Sequence, residues 1–258
     1  MKLYTTEKIR NIGLVGHGGT GKTSLAEAML FHTGANNRIG KVDDDSSVMN
    51  YDPEETKRKA TVSTSLAALE YKDHKINVLD APGFDDFLGE VYKISGAIDM
   101  AIVTVNAQSG VEVGTEKNWA ILEETRTPRI IYLSKLDKEN INLNKTLEQL
   151  KNLDSKITPV IVPWGTFDQL KGVIDLIDMK AYAYNDDKGK AIEVKDIPAD
   201  MMDYAKALRE PMVESIVECD EALMEKFFDG QEISPTELRS ALRKGLAKNE
   251  IKPLISGM

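Results

Sequence analysis

The sequence contains the eight residues Gly16-His17-Gly18-Gly19-Thr20-Gly21-Lys22-Thr23, which match the pattern G-x-x-x-x-G-K-[ST] between an apolar run and a helical pattern. Glycines at such positions let consecutive backbone N–H groups turn toward phosphates, and the following helix adds the positive end of its dipole. In this pattern Lys22 bridges the β- and γ-phosphates, and the Thr23 hydroxyl ligates Mg²⁺. The alternative is a glycine-rich turn with a chance Lys-Thr pair, which does not account for both flanking elements. We therefore predict a phosphate-binding loop over residues 16–23, extending to Ser24.

Short apolar runs alternate with helical patterns through the first two-thirds of the chain. The runs are continuous and β-branched, which is typical of parallel strands covered on both faces. The predicted strands are residues 12–15, 76–79, 101–105, 130–133 and 160–162. The predicted helices are residues 22–33, 85–96, 112–125 and 142–153. This βαβ series indicates an α/β fold, a P-loop NTPase with a doubly wound, mostly parallel sheet.

The pattern changes after Pro163. Residues 172–184 are predicted to form short strands, residues 185–189 a turn, and residues 252–255 a last strand that returns to the sheet. The residues between them are helical, and one helix begins at Ser234-Pro235-Thr236-Glu237, with serine as the N-cap. A packing stripe at helical spacing comprises Met201, Ala205, Leu208, Met212 and Ile216. We infer a nucleotide-binding domain over residues 1–163 and 251–258, interrupted by an α+β subdomain over residues 164–250.

A second motif, Asp80-Ala81-Pro82-Gly83, follows the strand predicted at residues 76–79. An aspartate at the end of such a strand can hold Mg²⁺ through water, and the bare backbone of Gly83 can approach a γ-phosphate closely. Taken alone, the motif is as compatible with a plain turn. Its position after the phosphate-binding loop favours the metal-binding interpretation.

A third motif, Ser134-Lys135-Leu136-Asp137, follows the strand predicted at residues 130–133. A carboxylate there can accept two hydrogen bonds from the N1–H and N2–H₂ groups of guanine. Adenine lacks this donor pair, so Asp137 would stay unpaired at a cost of about 1–3 kcal/mol. The Lys135 stem can lie along the base plane. By itself K-x-D is a weak motif of charged surfaces, but its place after the other two predicts guanine recognition.

Composition limits the classes of function. The chain has 258 residues, 41% hydrophobic and 29% charged, with no apolar run long enough for a membrane span and no apolar signal segment at its start. Its one cysteine, Cys219, excludes an internal disulfide. Residues 185–232 carry fourteen Asp and Glu against six Lys and Arg, most of the net charge of −9. We expect a cytoplasmic monomer that contacts neither membrane nor nucleic acid directly; the acidic region is either a solvated surface or a site for a basic protein.

The three motifs, in this order, resemble the GTPase domain of elongation factor G and its near relatives among translational GTPases. The similarity is densest in residues 12–24, 73–89 and 135–137, and it covers nearly the whole chain. It continues through the inserted subdomain, which distinguishes this family from the shorter elongation factor Tu type. The matching stretches of the insert are residues 172–184, 196–201, 221–227 and 249–251.

This resemblance implies further roles. The stretch Arg58-Lys59-Ala60-Thr61-Val62 occupies the place of the family's Arg-Gly-Ile-Thr-Ile, so Thr61 would be a second hydroxyl on Mg²⁺ when GTP is bound. Residues 34–59 would be the loop that orders and releases. Ser256 and Gly257 would lie on or just before the loop that contacts the guanine oxygen. Family members carry further domains, so the chain resembles an isolated N-terminal piece.

The departures from the family fall mainly on hydrolysis. Phe84 replaces the histidine that positions the attacking water, and positioned groups of that kind contribute about 10²–10⁴ in rate. Gly19 replaces an aspartate, a candidate ligand for a monovalent cation, and Gly18 and Ala60 replace a bulky apolar pair beside the water. Ser134 replaces the usual asparagine of the base motif. The pattern resembles the divergent, second type of elongation factor G.

Three functions remain open on these grounds. The first is a GTPase that is slow alone and accelerated by the ribosome, with Lys22, Gly83 and the position of Phe84 at the catalytic centre. The second is a GTP- and GDP-dependent switch on the ribosome that hardly hydrolyses GTP. The third is a P-loop ATPase or kinase. The retained Lys22, Thr23, Thr61 and Gly83 favour the first, with the ribosomal stalk as a candidate partner for the acidic insert.

Overall fold

A computed structural model describes residues 2–185 and 191–257, and the chain forms two compact units. The first comprises Met1–Val105 and Val111–Thr127, and the second comprises Asn106–Gly110 and Pro128–Met258. Strand pairing in the first unit is mostly parallel, and the second unit combines a parallel group of strands with a separate antiparallel sheet. This confirms the predicted α/β fold class.

The first unit contains the phosphate-binding loop and a group of four strands in the order β2-β3-β1-β4. Strand β1 is parallel to both β3 and β4, whereas β2 is antiparallel to β3. The strands are β1 (Ile9–Val15), β2 (Ser65–Tyr71), β3 (His74–Asp80) and β4 (Met100–Asn106). The helices are α1 (Lys22–His32), α2 (Pro53–Arg58), α3 (Leu88–Ser95) and α4 (Val113–Glu124).

The strands and helices predicted in the first unit are confirmed within a few residues. Strand β4 is buried at five consecutive positions from Ala101 to Val105, as expected where both faces are covered. The helix predicted over residues 85–96 begins as a 3₁₀ turn, Asp85–Phe87, and continues as α3. Helix α2 and the antiparallel strand β2 were not predicted.

The second unit contains two sheets. Three parallel strands have the order β5-β11-β6, and four antiparallel strands have the order β10-β9-β8-β7. The strands are β5 (Arg129–Ser134), β6 (Ile157–Pro159), β7 (Ile161–Trp164), β8 (Gly172–Asp175), β9 (Lys180–Tyr184), β10 (Ile192–Asp196) and β11 (Lys252–Ser256). The helices are α5 (Leu143–Leu153), α6 (Ala199–Val217), α7 (Glu221–Phe228) and α8 (Pro235–Ala247). A short 3₁₀ helix spans Phe167–Gln169.

The strand predicted at residues 160–162 is wrong in its bounds. Strand β6 ends at Pro159 and pairs with β11, whereas β7 begins at Ile161 and pairs with β8 in the antiparallel sheet. Val160, between them, donates its N–H to the carbonyl of Leu254. One apolar run therefore serves two sheets, which hydrophobicity alone cannot show because both strands are buried.

The helices of the inserted region agree with the sequence. Ala205, Met212 and Ile216 on α6 are buried, and Met201 and Leu208 pack against the same core. The Ser234 hydroxyl accepts the N–H of Glu237, and the Glu237 carboxylate accepts the N–H of Ser234, which is the predicted start of α8. The turn predicted at residues 185–189 lies, beyond its first residue, outside the described residues. Within the described part of the chain, no helix combines the length and the apolar character needed to cross a membrane.

Candidate nucleotide site

The predicted phosphate-binding loop lies between β1, which ends at Val15, and α1, which begins at Lys22. Gly16 has φ 139°, and a Cβ there would collide with the carbonyl oxygen of Thr104, so only glycine fits. Gly21, at the N-cap of α1, has φ 92°. The Thr20 hydroxyl bonds to the carbonyl of His17 at 2.9 Å and to the Thr104 hydroxyl at 2.7 Å, which supports the loop from below.

Lys22 is held inside this loop. It is 6% exposed, and its Nζ donates to the carbonyl oxygens of Gly16 at 3.0 Å and His17 at 2.8 Å. Burial lowers the pKa of Lys22 to about 8, against an opposing influence of the Asp80 charge. An ammonium group that rests on loop carbonyls is placed to exchange them for phosphate oxygens.

Three side chains predicted to serve Mg²⁺ lie together in the first unit. The Thr23 hydroxyl donates to Asp80 Oδ2 at 2.6 Å, and its oxygen is 3.3 Å from the Thr61 hydroxyl. Asp80 is fully buried at the end of β3, and burial raises its pKa to about 6. The structure therefore brings two hydroxyls and one carboxylate to a single point beside Lys22.

This cluster fits a hard divalent cation. Among the described residues, Asp80 Oδ1 has no hydrogen-bond partner although it is buried, and the same holds for Asn50 Nδ2 and Ser65 Oγ. An unpaired buried carboxylate oxygen is costly unless a cation or its water shell satisfies it. Oxygen ligands of this kind are those that Mg²⁺ prefers.

Gly83 lies directly against the phosphate-binding loop. A Cβ at Gly83 would collide with Lys22 Nζ and approach Gly18 N and the carbonyl oxygen of His17 within 2.8 Å. The motif continues from the end of β3, since the Ala81 N–H donates to the carbonyl of Leu14 on the neighbouring β1. Any larger residue at position 83 would displace the lysine.

The ring of Phe84 covers Gly18. A Cβ on Gly18 would lie 3.2 Å from the ring, so the aromatic side chain takes the space that a larger residue at position 18 needs. The ring is 51% exposed and borders a cavity of about 240 Å³. The other residues that line this cavity are Arg58, Ala60, Thr61, Val62, Asp86 and Phe87.

The remaining positions of the loop have smaller roles. Gly19 has φ 74°, which favours glycine over the family's aspartate. Ser24 is exposed on α1. The ring of His17 lies against Gly114 at the start of α4, with Nε2 3.7 Å from Glu112 Oε1. His17 thus packs the loop onto α4.

The predicted base motif lies in the second unit, at the end of β5. Ser134 is buried, and its carbonyl accepts the N–H of Ala107 at 3.0 Å. Lys135 has φ 57°, and Leu136 is fully buried. Asp137 is exposed and pairs with Lys138 at 2.8 Å. The left-handed backbone at Lys135 and the buried side chain of Leu136 leave the Asp137 carboxylate exposed to solvent. In that position it is accessible to a nucleotide base.

The last described residues lie beside this motif. Strand β11 pairs with β5 so that Ser256 is opposite Leu133, and the Gly257 N–H donates to the carbonyl of Leu133 at 3.2 Å. A Cβ on Gly257 would meet the ring of Tyr132. Ser256 thus ends the strand that neighbours β5, and Gly257 follows it; their predicted place at the guanine-contacting loop stays a prediction.

Two residues near the predicted Mg²⁺ ligands were not predicted from the sequence. Asn50 Oδ1 accepts the Thr61 hydroxyl at 3.3 Å, and Glu27 is a fully buried carboxylate on α1. Neither belongs to a motif with a recognisable spacing. An acidic residue on the apolar side of α1 was the one signal that the sequence offered.

Comparison with known proteins identifies the family of this chain. The family model described as the elongation factor Tu GTP-binding domain matches residues 7–250. A crystal structure of a protein from Thermus thermophilus superposes with a TM-score of 0.90 and 35% identity, over 97% of this chain. The match spans 37% of that longer chain.

Proposed function

This chain belongs to the elongation factor Tu GTP-binding domain family and is the G domain of a translational GTPase, and from that premise we propose that it binds and slowly hydrolyses Mg²⁺·GTP. The proposal includes an elongation factor G-type role, in which nucleotide state drives a conformational switch on the ribosome. One observation carries it: the Thr23 hydroxyl lies within hydrogen-bonding distance of both Asp80 and Thr61, and it follows directly after the buried Lys22.

Each residue has a defined part in this proposal. Lys22 leaves the carbonyls of Gly16 and His17 and binds β- and γ-phosphate oxygens, while the loop N–H groups bind the rest of the phosphates. Thr23, Thr61 and Asp80 would hold Mg²⁺, which when bound neutralises charge on the phosphates. Gly83 offers its N–H to the γ-phosphate without displacing Lys22.

Base selection is assigned to the second unit. Asp137 would exchange its exposed pairing with Lys138 for the N1–H and N2–H₂ donors of guanine. The stem of Lys135, Ser134 and the backbone of Leu136 would frame the base, with Ser256 and Gly257 near its oxygen. Adenine would leave the Asp137 carboxylate without these donors, and guanine is selected for that reason.

A second function is favoured by the contact between Phe84 and Gly18. A phenyl ring neither accepts nor donates the hydrogen bonds that orient an attacking water, and this ring lies over Gly18 of the phosphate-binding loop. The domain would then act as a GTP/GDP binding switch with little turnover. Retention of Lys22, Thr23, Thr61 and Gly83 makes the slow GTPase the preferred proposal.

Turnover separates these two functions. We expect phosphate release by the chain to be slow and to rise at least about tenfold with ribosomes, since positioned groups act at that scale or above. Multiple-turnover phosphate release with Mg²⁺·GTP, with and without ribosomes, measures it. No turnover under either condition, together with tight GTP binding, would establish the switch instead.

The acidic insert is the proposed contact with the ribosomal stalk. Glu214, Glu218, Glu221 and Glu225 lie on or between α6 and α7, where a basic protein surface would be attracted to them. Neutralising all four should reduce ribosome stimulation and leave turnover without ribosomes unchanged. The proposal is wrong if ribosomes stimulate the neutralised variant as strongly as wild type. It is also wrong if ribosomes that lack the stalk stimulate wild type and variant as strongly as complete ribosomes do.

A further inference from the structure

Glu27 is a buried carboxylate that the proposed chemistry does not use. It lies on α1, five residues after Lys22, and it is 0% exposed. Within the described part of the chain, no Lys, Arg or His forms an ion pair with it. A buried charge is stable only when hydrogen bonds replace its hydration. The hydrogen-bond donors to Glu27 therefore show which part of the chain this carboxylate holds in place.

Among the residues that the structure describes, the donors to Glu27 come from one segment, residues 40–49. Glu27 Oε2 accepts the N–H of Gly40 at 3.1 Å. Oε1 accepts the Ser47 hydroxyl at 2.7 Å and the N–H groups of Val48 at 2.6 Å and Met49 at 3.3 Å. A Cβ on Gly40 would lie 2.6 Å from Glu27 Oε2, so a glycine is required for the carboxylate to reach this backbone. One side chain thus ties the segment to the helix that begins with Lys22 and Thr23.

The segment held by Glu27 is followed directly by a residue that contacts Thr61, one of the predicted Mg²⁺ ligands. Met49, buried at 1% exposure, is followed by Asn50, whose Oδ1 accepts the Thr61 hydroxyl at 3.3 Å. On the other side of Thr61, the buried Glu55 carboxylate accepts the N–H groups of Val62 at 2.8 Å and Ser63 at 3.1 Å. Buried carboxylates therefore hold the chain on both sides of Thr61: Glu27 holds the segment before it, and Glu55 holds the residues after it.

We propose that Glu27 is a positioning residue, which anchors residues 40–49 to α1. It thereby places Asn50 and the Thr61 hydroxyl beside Thr23 and Asp80, the other predicted Mg²⁺ ligands. The part of this inference that concerns GTP rests on the proposed function, whereas the anchoring itself does not. Thr61 is expected to serve the GTP complex and not the GDP complex. Loss of Glu27 should therefore weaken GTP binding more than GDP binding, whereas a general loss of fold would weaken both.

The test uses Glu27→Gln in the full chain. Glutamine keeps the size of the side chain but removes the charge and turns an N–H₂ group toward a backbone donor. Ser47→Ala removes one donor to the same carboxylate and should act in the same direction to a smaller extent. Glu116→Gln, at an exposed position of α4, is the matched control.

Two readouts are needed. Amide hydrogen exchange over residues 40–64, without nucleotide, should accelerate in Glu27→Gln and remain unchanged in Glu116→Gln. With Mg²⁺, GTP affinity should fall about 10- to 100-fold, as for groups that orient metal ligands, while GDP affinity changes by less than about threefold.

Unchanged exchange in both Glu27→Gln and Ser47→Ala would overturn the anchor. Faster exchange with an equal loss of GTP and GDP affinity would overturn the positioning role. If Glu27→Gln does not fold, the same two criteria apply to Ser47→Ala. If the wild-type chain shows no preference for guanine nucleotides, the proposed function fails, and the exchange measurement still decides the anchor.

Discussion

Phe84 and Gly18 are best understood together. The ring of Phe84 occupies the space that a side chain at position 18 needs, and Ala60 on the neighbouring cavity wall is small as well. By the resemblance to elongation factor G, an aromatic residue beside two small ones would here replace a histidine beside two bulky ones. We expect nucleotide binding to be less affected than hydrolysis, because Lys22 Nζ is held by the carbonyls of Gly16 and His17 and not by the ring.

The exchange predicts the effect of restoring a histidine. Phe84→His should raise ribosome-stimulated phosphate release by about 10²-fold, the lower end of the range for a positioned water-activating group, because Gly18 and Ala60 still leave the imidazole without apolar support. Single-turnover and multiple-turnover phosphate release would measure this. Phe84→Leu removes the ring without adding a hydrogen-bonding group, and it should not accelerate hydrolysis. Equal rates in the two variants would contradict the account.

Among single residues, those in local motifs could be predicted from the sequence. Those whose partners lie far away along the chain could not. Lys22, Thr23 and Asp80 were identified because local spacing carries their chemistry. Glu27 was missed because its donors lie 13 to 22 residues away in a segment without periodicity. Asn50 was missed for the same reason, since its partner Thr61 is 11 residues away.

At the scale of elements, continuous apolar strands and capped helices were predictable, and boundaries between sheets were not. Strand β2 alternates between exposed and more buried positions, as expected for an antiparallel strand with one face toward solvent. The apolar pattern of the sequence does not show this, because Ser65 is buried and Leu66 is exposed. Helix α2 begins at Asp52-Pro53, an N-cap followed by proline, within a region predicted as a loop. The capping signal was present, but six residues give too little periodicity to reveal a helix.

The start of α8 offers a direct test at this scale. Ser234→Ala removes an N-cap and should lower the free energy of unfolding of the second unit by about 1 kcal/mol. Ser240→Ala, at an exposed position inside the same helix, should not destabilise the protein, because alanine favours helix interiors. Urea unfolding followed by circular dichroism would compare the two. A larger loss in Ser240→Ala would contradict the assignment of the cap.

The same cap should respond to pH. Hydrogen bonds from Ser234 and then Lys226 lower the pKa of Glu237 to about 2 from 4.5. A carboxyl whose folded-state pKa is depressed adds stability above its unfolded pKa and loses it as pH falls toward the folded value. The stability difference between wild type and Glu237→Gln should therefore be present at neutral pH and vanish between about pH 4.5 and 2. A difference that persists at pH 2 would show that the charge is not responsible.

At the scale of the whole molecule, the family and the fold follow from the match over residues 7–250. We propose that the insert spans residues 164–250, although β7 begins at Ile161, three residues earlier. The start of the insert was predicted from the sequence because the alternation of apolar runs and helical patterns stops after Pro163. The related chain from Thermus thermophilus is much longer, so the activity of a complete protein remains a proposal built on this domain.

Guanine selection is central to this function, because the roles proposed for Lys22, Thr61 and Phe84 all depend on GTP as the ligand. Titration of the chain with GTP, GDP and ATP in the presence of Mg²⁺, for wild type and Asp137→Asn, tests it most directly. We predict that GTP and GDP bind at least about tenfold more tightly than ATP, the effect of one or two unpaired hydrogen bonds, and that Asp137→Asn abolishes this preference. Equal affinity of the wild-type chain for guanine and adenine nucleotides, or binding of neither, would contradict it.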